Sequence, residues 1–539
     1  MGPVRMPRII RRFSWPAASW LGGALVPLAV AVALFTRYGI NSTLSRDESI
    51  YTYGGQQLSH GVAPYVGIFD PKGPIATWLG GLASVVAHAL GRNDIYMIRL
   101  AFFICACLTV LAVYLLATRL WRSTLAGLVA AVVFASFRGF AADALSGPDA
   151  KTPGVLLAVL SMWFLTRRQW FWGACAASLA FLVWQPLALY AVVAVGVAAL
   201  NAASGDRLKA LVLAVAGAAT PLVLTVVYFV AAGAFAEFFE ATVLFPFRGV
   251  IRGQQTLSGR LETIVTVVNR DYGFSGALFW IGGIALVLLA ALHLFRGRRQ
   301  PLAALRDPLI CVVLLTGLLQ AAYAASDFQG YPDLYPLLPY PALGLGGVAV
   351  VVLRLARNVA GRLLVTATAV VALAVLTAFS WTWFTDDVLH DGGLRAQRAN
   401  ACAVERLLGP TGSLYALGDP TALVMTHRRN PDRYIYLGSG VDRWKIAHLP
   451  GGFNAWTAQV RSADPAVIVL RGWSSPVRPV MVAWLREAGF RSAYVGAWRV
   501  FLPPATLQDA HRRGVRLTAG PTARARGVPG HPIRAFACR

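Results

Sequence analysis

The stretch RDESIYTYGGQQLSHGVAPYVGIFDPKGP, residues 46–74, follows the first long apolar run of the chain and leads into another, residues 74–90. It is unusually polar for its surroundings and holds six ionisable side chains, namely Arg46, Asp47, Glu48, His60, Asp70 and Lys72. Whether the run 74–90 crosses a membrane decides on which side every later segment lies. The polar stretch and the run after it therefore determine the architecture.

The composition indicates a polytopic membrane protein. Of the 539 residues, 57% are hydrophobic and 14% are charged, and the mean hydropathy is +0.58. A soluble domain has no interior large enough to hide that share of apolar surface. The net charge of +25 would suggest nucleic acid in a soluble protein, but membrane proteins collect arginine and lysine in their cytoplasmic loops. We therefore expect a lipid bilayer, and no nucleic acid, among the partners.

Apart from 74–90, apolar runs of roughly the length of a membrane span, about 20 residues, fall near 18–39, 97–118, 124–141, 152–166, 170–184, 186–203, 210–235, 275–295, 308–326, 335–353 and 363–382. If 74–90 stays outside, nearly all loop arginines fall on the cytoplasmic side, as the positive-inside rule requires. The sequence thus predicts about eleven transmembrane helices and an interfacial helix at 74–90 in the first outer loop. The N-terminus is then cytoplasmic.

The composition changes after Trp381. Short β-like runs (SLYAL, YIYLG, AVIVL and AYVGAWRVFL) alternate with helical pieces, which predicts a small extracytoplasmic α/β domain. The expected fold class is an all-α polytopic membrane domain, 1–382, followed by this α/β domain, 383–502. Residues 503–539 are basic and rich in Pro and Gly, and we expect a disordered tail. Cys402 and Cys538 have the option of pairing outside the cytoplasm, which the sequence leaves open.

The first acids outside the membrane are Asp47 and Glu48. A carboxylate at the head-group level is partly desolvated, which raises its pKa, while the neighbouring Arg46 lowers it. This is a suitable setting for a general base. The alternative is that Arg46, Asp47 and Glu48 merely cap a helix at the membrane interface.

Two further residues are candidates in the outer loops. Asp149, in SGPDAK, is a second carboxylate, or else the cap of the following helix. Lys72, in DPKGP, is either a phosphate-binding cation at the membrane surface or a lysine that extends to the lipid head groups. The predicted loop 236–274 mixes aromatic residues with Arg248, Arg252, Arg260 and Arg270. These either cover a lipid phosphate or sugar, or anchor the loop at the interface.

Several motifs occur in a characteristic order. They are the acidic pair Asp47-Glu48 followed by Tyr51, the G-x-x-P-Y motif from Gly61 to Tyr65, Asp70-Pro71-Lys72-Gly73-Pro74 with Trp78, Asp149, Gln185-Pro186, and the run YPDLYPLLPYPALG. In this order the chain resembles the GT-C superfamily of membrane glycosyltransferases, in particular the branch of protein O-mannosyltransferases and lipid A aminoarabinose transferases. The resemblance covers most of residues 18–382.

The resemblance implies transfer of a sugar from a polyprenyl-phosphate carrier to a glycan, lipid or protein acceptor at the outer face of the plasma membrane. It implies Asp47 as the catalytic base, with Asp149 as the second catalytic carboxylate. The substrate-binding residues are then Arg46, Glu48, Tyr51, Lys72 and Gln185. The chain departs from the pattern at Ile50, where related aminoarabinose transferases carry Arg, and at Trp184, where many relatives carry Lys.

The implied reaction suits a site with few acids. Glycosidases need two carboxylates because their leaving alkoxide must be protonated, whereas a polyprenyl phosphate leaves as a stable anion. One base and one cation then suffice. The alternatives are a catalytically degenerate scaffold and a transporter of envelope precursors; the latter predicts ionisable residues near mid-span. The sequence leaves open whether a divalent metal assists, and which sugar and acceptor are used.

Overall fold

The computed structural model describes residues 17–250, 256–384 and 393–521. The membrane part is helical throughout, because its apolar runs must satisfy their backbone hydrogen bonds internally. Its α-helices are Ala17–Thr36, Arg46–Ser59, Ile75–Ala89, Asp94–Trp121, Thr124–Ala135, Arg138–Ser146, Lys151–Thr166, Trp170–Phe181, Ala188–Asn201, Arg207–Ala231, Phe235–Phe239, Phe245–Arg248, Leu257–Asp271, Phe274–Arg296, Pro301–Leu305, Leu315–Ser326, Pro339–Leu355 and Val359–Trp383. Short 3₁₀-helices occupy Gln185–Leu187, Ser204–Asp206 and Tyr331–Leu337, and π-helical turns occupy Glu240–Leu244 and Leu309–Leu314.

The helices vary in length. Within the described ranges, five helices are long and apolar enough to cross a membrane, or up to seven if each of two bent pairs counts as one span. The other apolar helices are shorter: Gly23–Thr36, Ile75–Ala89, Lys151–Thr166, Trp170–Phe181 and Gln185–Asn201. Every predicted run coincides with a helix or a bent pair. The count of about eleven spans and the interfacial position of Ile75–Ala89 remain predictions.

One predicted span is broken. The run 124–141 forms the helices Thr124–Ala135 and Arg138–Ser146, which meet at 70°. The first helix ends at Ser136, and the backbone N–H of Arg138 donates a hydrogen bond to Ser275 Oγ at 3.1 Å instead of continuing the helix. The bend brings Asp143 within hydrogen-bonding distance of the hydroxyls of Tyr331 and Tyr335.

The C-terminal domain is built on a four-stranded sheet with strands β1 (Ser413–Leu417), β2 (Pro465–Leu470), β3 (Arg491–Val495) and β4 (Trp498–Leu502). The order is β1-β2-β4-β3; β1 and β2 are parallel, and β4 is antiparallel to both of its neighbours. The helices of this domain are Gly393–Leu408, Thr421–Thr426, Val441–His448, Gly452–Ser462, Val477–Glu487 and Pro504–Arg512. The fully buried Trp456 and Trp473 pack in its core.

Two expectations for this domain were wrong. The run YIYLG, residues 434–438, is not a strand; its contact with the sheet is a hydrogen bond from the Gly418 N–H to the Ile435 carbonyl at 2.7 Å. The predicted disordered tail begins too early, because Pro504–Arg512 is a helix that buries Ala510, and Thr518 exchanges backbone hydrogen bonds with Tyr494. Residues 522–539 lie outside the described ranges. Of the two cysteines considered for pairing, Cys402 is disulfide-bonded, and Cys538 is among the residues outside the described ranges.

The C-terminal domain docks on residues 41–74, which include the polar stretch 46–74. Gln397 accepts a hydrogen bond from the Leu44 N–H and donates one to the Leu44 carbonyl, both at 2.8 Å. The Asn430 N–H donates to Tyr53 Oη at 2.9 Å, and the Phe69 N–H donates to the Arg433 carbonyl at 2.8 Å. These contacts place the stretch between the membrane helices and the domain.

The helices Phe274–Arg296 and Pro339–Leu355 cross in close contact. A Cβ on Gly344 would lie 2.0 Å from the carbonyl oxygen of Gly282, and a Cβ on Gly282 would lie 2.2 Å from that of Pro341. Small residues permit this approach of two backbones, which stabilises helix pairs in membranes. The neighbouring Gly283 has open space around it.

We expect Gly282→Ala to lower the melting temperature of the detergent-purified protein, because the two helices must move apart. Gly283→Ala is the matched control, one residue away on the same helix. It should leave the melting temperature unchanged or raise it slightly, since Ala is a better helix former than Gly by about 1 kcal/mol. Equal melting temperatures of the two variants would contradict the close crossing.

Candidate active site

The helix Arg46–Ser59 starts with a complete capping box. The Glu48 N–H donates to Ser45 Oγ at 3.3 Å, and the Ser45 N–H donates to Glu48 Oε2 at 2.8 Å. The sequence S-R-D-E encodes this cap directly, since Ser at the cap and Glu three residues later satisfy two free N–H groups. The cap fixes the directions of Arg46, Asp47 and Glu48.

Asp47 points to an open surface, and its side chain is 51% exposed. Its Oδ1 lies 3.1 Å from Nε of Arg46. Burial of the carboxylate opposes its ionisation, but the charges of Lys72, Arg46 and Lys151 outweigh that effect and keep its pKa below the ordinary aspartate value. Asp47 is therefore an ionised, accessible carboxylate at neutral pH.

Glu48 points the other way and is buried. Its Oε2 lies 3.9 Å from Nη2 of Arg99, and its side chain fits against Gly147, where a Cβ would lie 2.0 Å from the Glu48 Cδ. Desolvation raises the pKa of Glu48 to about 8, against the opposing charge of Arg99. This placement favours a positioning role over the substrate contact that the resemblance implied.

Lys72 is held by the backbone around it. Asp70 Oδ1 accepts a hydrogen bond from the Lys72 N–H at 3.1 Å, and Gln185 Nε2 donates to the Pro71 carbonyl at 2.6 Å. The next residue is glycine for a steric reason, because a Cβ on Gly73 would lie 1.9 Å from the Leu182 carbonyl oxygen. Gln185 thus supports the segment that carries Lys72.

The ammonium of Lys72 lies 5.3 Å from the ring centroid of Tyr51, a contact that stabilises a cation. Across residues 17–250, 256–384 and 393–521, it forms neither a hydrogen bond nor an ion pair. Burial lowers the pKa of Lys72, but the nearby carboxylates Asp149, Asp47 and Asp70 outweigh it and the pKa is raised. Lys72 is a charged group available to a ligand.

Asp149 is buried, and its Oδ1 accepts a hydrogen bond from the Lys151 N–H at 2.7 Å. It binds the first N–H group of the helix Lys151–Thr166 from the position before the N-cap residue Ala150, and its charge also acts on Lys72. The adjacent Lys151 was missed by the sequence reasoning. A signal existed, because it is one of only four lysines in the chain and directly follows SGPDA.

The C-terminal domain contributes contacts to this site that the sequence did not reveal. Arg46 Nη1 donates to the Gly472 carbonyl at 2.9 Å, and its guanidinium lies 4.9 Å from the ring centroid of Tyr436. Tyr436 is also among the groups whose charge acts on Lys72. Residues about 400 positions along the chain from Arg46 thus complete the site.

The predicted loop 236–274 is helical in its described parts. Arg260 donates to the Ser326 carbonyl, Arg270 pairs with the adjacent Asp271 at 2.8 Å, and Arg248 is exposed; Arg252 lies outside the described residues. In the same region, Glu240 accepts hydrogen bonds from Tyr434 Oη and Trp444 Nε1, both at 2.8 Å. Glu240 thus contacts the C-terminal domain and not the residues around Asp47.

A cavity of about 700 Å³ lies elsewhere, between the segment Leu90–Met97 and the helix Gly393–Leu408. None of the residues around Asp47 lines it, so we place the candidate site by its chemistry and not by this cavity. In the described part of the chain, His, Cys, Asp and Glu form no group of three or more that could hold a metal ion.

The geometry brings Arg46, Asp47, Tyr51, Lys72 and Asp149 together; we call these five residues and Lys151 the junction cluster. No family model and no curated protein sequence matches the chain. Its structure, however, is similar to that of ArnT from Cupriavidus metallidurans. The apo form superposes with a TM-score of 0.59 at 17% identity, over 90% of this chain and 98% of that one.

The chain shares its fold with these membrane proteins of known structure. ArnT bound to undecaprenyl phosphate gives a TM-score of 0.58 at 16% identity, over 90% of this chain and 98% of the other. The apo oligosaccharyltransferase of Archaeoglobus fulgidus gives 0.55 at 14% identity, over 89% and 73%. Its long apolar helices indicate a multi-pass membrane protein, and the fold shared with ArnT and the oligosaccharyltransferase agrees with the resemblance seen in the sequence.

The raised pKa of Glu48 generates a prediction on stability. A buried carboxyl whose pKa rises from 4.5 to about 8 on folding stabilises the protein when protonated, and this stability is lost as the pH rises through that window. Gln is neutral at every pH and preserves the capping box. We therefore expect the melting temperature of Glu48→Gln minus that of the parent to increase from pH 5 to pH 8. Parallel curves would show that Arg99 keeps Glu48 ionised.

Proposed function

We propose that the protein is a membrane glycosyltransferase that moves a sugar from a polyprenyl-phosphate carrier to an acceptor hydroxyl. The observation that carries the proposal is an accessible, ionised carboxylate, Asp47, near the ammonium of Lys72, which forms no ion pair within the described residues; both lie between the membrane helices and the C-terminal domain. A base and a phosphate-binding cation are what the reaction requires.

The transfer is an inverting displacement. The acceptor oxygen forms a bond to the anomeric carbon from one side, and the bond from that carbon to the phosphate oxygen breaks on the other. The electron pair leaves with the polyprenyl phosphate, and the acceptor proton passes to Asp47. The low pKa of Asp47 keeps it ready as a base at neutral pH, and the phosphate needs no proton to depart.

Three supports favour this donor class. The GT-C fold is shared with a structure of ArnT bound to undecaprenyl phosphate. Lys72 provides a charge-assisted contact of the kind that binds phosphate. The site also lies where apolar helices meet a polar domain. One surface would contact the lipid chain of the donor and the adjacent one its phosphate.

We further propose that the site faces the outside of the plasma membrane. The first-loop helix Arg46–Ser59 contacts both the helix Ile75–Ala89 and the helix Thr421–Thr426 of the C-terminal domain. The arginine-rich connections between helices contact one another instead. Arg119 donates a hydrogen bond to the Thr166 carbonyl, and Asn201 donates one to the Arg306 carbonyl. By the positive-inside rule the arginine-rich end is cytoplasmic.

Asp47→Asn tests the reaction. The amide has nearly the same size but accepts no proton, so transfer from a polyprenyl-phosphate sugar should fall by about 10²–10⁴-fold, with the melting temperature little changed. Glu48→Gln, one residue away, is the matched control and should cost less. The measurement is sugar transfer by equal amounts of purified protein.

Activity of Asp47→Asn within about threefold of the parent would remove Asp47 from the base role and leave Asp149 as the next carboxylate. Movement of a donor across vesicles without any transfer would instead favour the transporter alternative.

The orientation has its own test. Arg92 is exposed beside the helix Ile75–Ala89, and Arg207 is exposed at the start of Arg207–Ala231. In a chain without other cysteines, Arg92→Cys should react with a membrane-impermeant maleimide on intact cells, whereas Arg207→Cys should react only after permeabilisation. The reverse pattern would invert the proposed topology.

A further inference from the structure

Lys151 is the second lysine of the junction cluster and its ammonium has a fixed position. Its Nζ lies 2.7 Å from Asp333 Oδ1, and the two side chains are 10% and 8% exposed. The other oxygen of Asp333 accepts a hydrogen bond from the Gln329 N–H at 2.7 Å. Below the ammonium lies the ring of Trp184, with its centroid 5.1 Å away. A salt bridge and a cation–π contact thus hold one cation from two sides.

Lys72 and Lys151 come from different elements and act on the same carboxylate. Lys72 precedes the helix Ile75–Ala89, and Lys151 starts the helix Lys151–Thr166, yet the positive charge of each favours ionisation of Asp47. The two lysines differ in their partners, because Lys151 is paired with Asp333, whereas Lys72 has no paired carboxylate within the described ranges. The site therefore holds two ammonium groups in unequal settings.

The proposed reaction changes the charge on the phosphate, and the following step rests on the function proposed above. A polyprenyl-phosphate sugar is a phosphodiester with one negative charge. When the bond between the anomeric carbon and oxygen breaks, the electron pair stays on the phosphate, which becomes a monoester with a second negative charge. This second charge exists only in the transition state and in the product.

We propose that Lys151 stabilises the charge that develops on the departing polyprenyl phosphate, while Lys72 binds the charge already present in the donor. A group that binds only the developing charge lowers the barrier without tightening donor binding. Its fixed position suits that role, because a preorganised cation needs no reorientation during the reaction.

The other cations near the site are committed to protein partners. Arg46 contacts Asp47, the Gly472 carbonyl and the ring of Tyr436. Arg99 donates to the carbonyls of Ile40 and Ser42. Lys151 is the second ammonium of the junction cluster, and its position relates it to Lys72: Trp184, whose ring it contacts, precedes Gln185, which donates to the Pro71 carbonyl next to Lys72.

The competing interpretation is an ion pair of purely structural value. Lys151→Met and Lys72→Met both keep the length of the side chain and remove its charge, and Lys209→Met, at an exposed position of the helix Arg207–Ala231, is the matched control. The measurements are kcat and KM with a polyprenyl-phosphate sugar, and the Kd of polyprenyl phosphate itself, which carries the second charge.

We expect Lys151→Met to lower kcat by about tenfold or more, with KM within about threefold, and to weaken binding of polyprenyl phosphate by a similar factor. Lys72→Met should raise KM as well. Because Lys72, Arg46 and Lys151 are the cations that act on Asp47, loss of Lys151 should also move the acidic limb of kcat/KM to higher pH.

The double variant Lys151→Met/Asp333→Asn covers the case in which an unpaired Asp333 unfolds the single variant. If this balanced variant keeps kcat and the Kd of polyprenyl phosphate within about threefold of the parent, the pair is structural and the proposal is wrong. If the parent transfers no sugar from any polyprenyl phosphate, the proposed function fails instead. The Kd comparison then still decides whether Lys151 binds a phosphate dianion.

Discussion

The capping box of Ser45 and Glu48 is the interaction on which the rest of the site depends. It starts the helix Arg46–Ser59 just after the first apolar helix, Ala17–Thr36, and so gives three successive ionisable residues three different directions. Arg46 reaches the C-terminal domain, Asp47 faces the open junction, and Glu48 turns inward to Arg99. Successive helical residues point about 100° apart, and a shift of the cap by one residue would exchange these roles.

The junction cluster is also a balance of charge. Desolvation penalises the ionised forms of Asp47 and Lys72, and neighbours of the opposite sign keep both side chains charged. Glu48, beside the cluster, behaves differently, because its burial outweighs the charge of Arg99 and raises its pKa to about 8.

At position 184 this chain departs from the pattern of the resembled superfamily, and a neighbouring lysine packs against the residue found there. Many relatives of the resembled superfamily carry Lys there, and the indole of this chain lies under the ammonium of Lys151 instead. The cation is thus present in the same region but comes from another helix. Comparison of single positions would have counted a lost charge where the structure retains one.

The sequence by itself determined that this is a membrane protein, the places of the apolar helices, the strands β1 and β2, and one β-like run, 493–502, that holds β4 and part of β3; it also singled out Asp47 and Lys72 as candidates. These features are local, because the length and periodicity of an apolar run and a capping box are written in neighbouring residues. Tertiary structure alone decided the 70° break after Ala135, the inward turn of Glu48, the loss of the YIYLG strand, and the meetings of Lys151 with Trp184 and Arg46 with Gly472. Those contacts join residues from about thirty to more than four hundred positions apart. Whether a strand finds an edge, or an ammonium finds a ring, depends on the packing of all the elements between them.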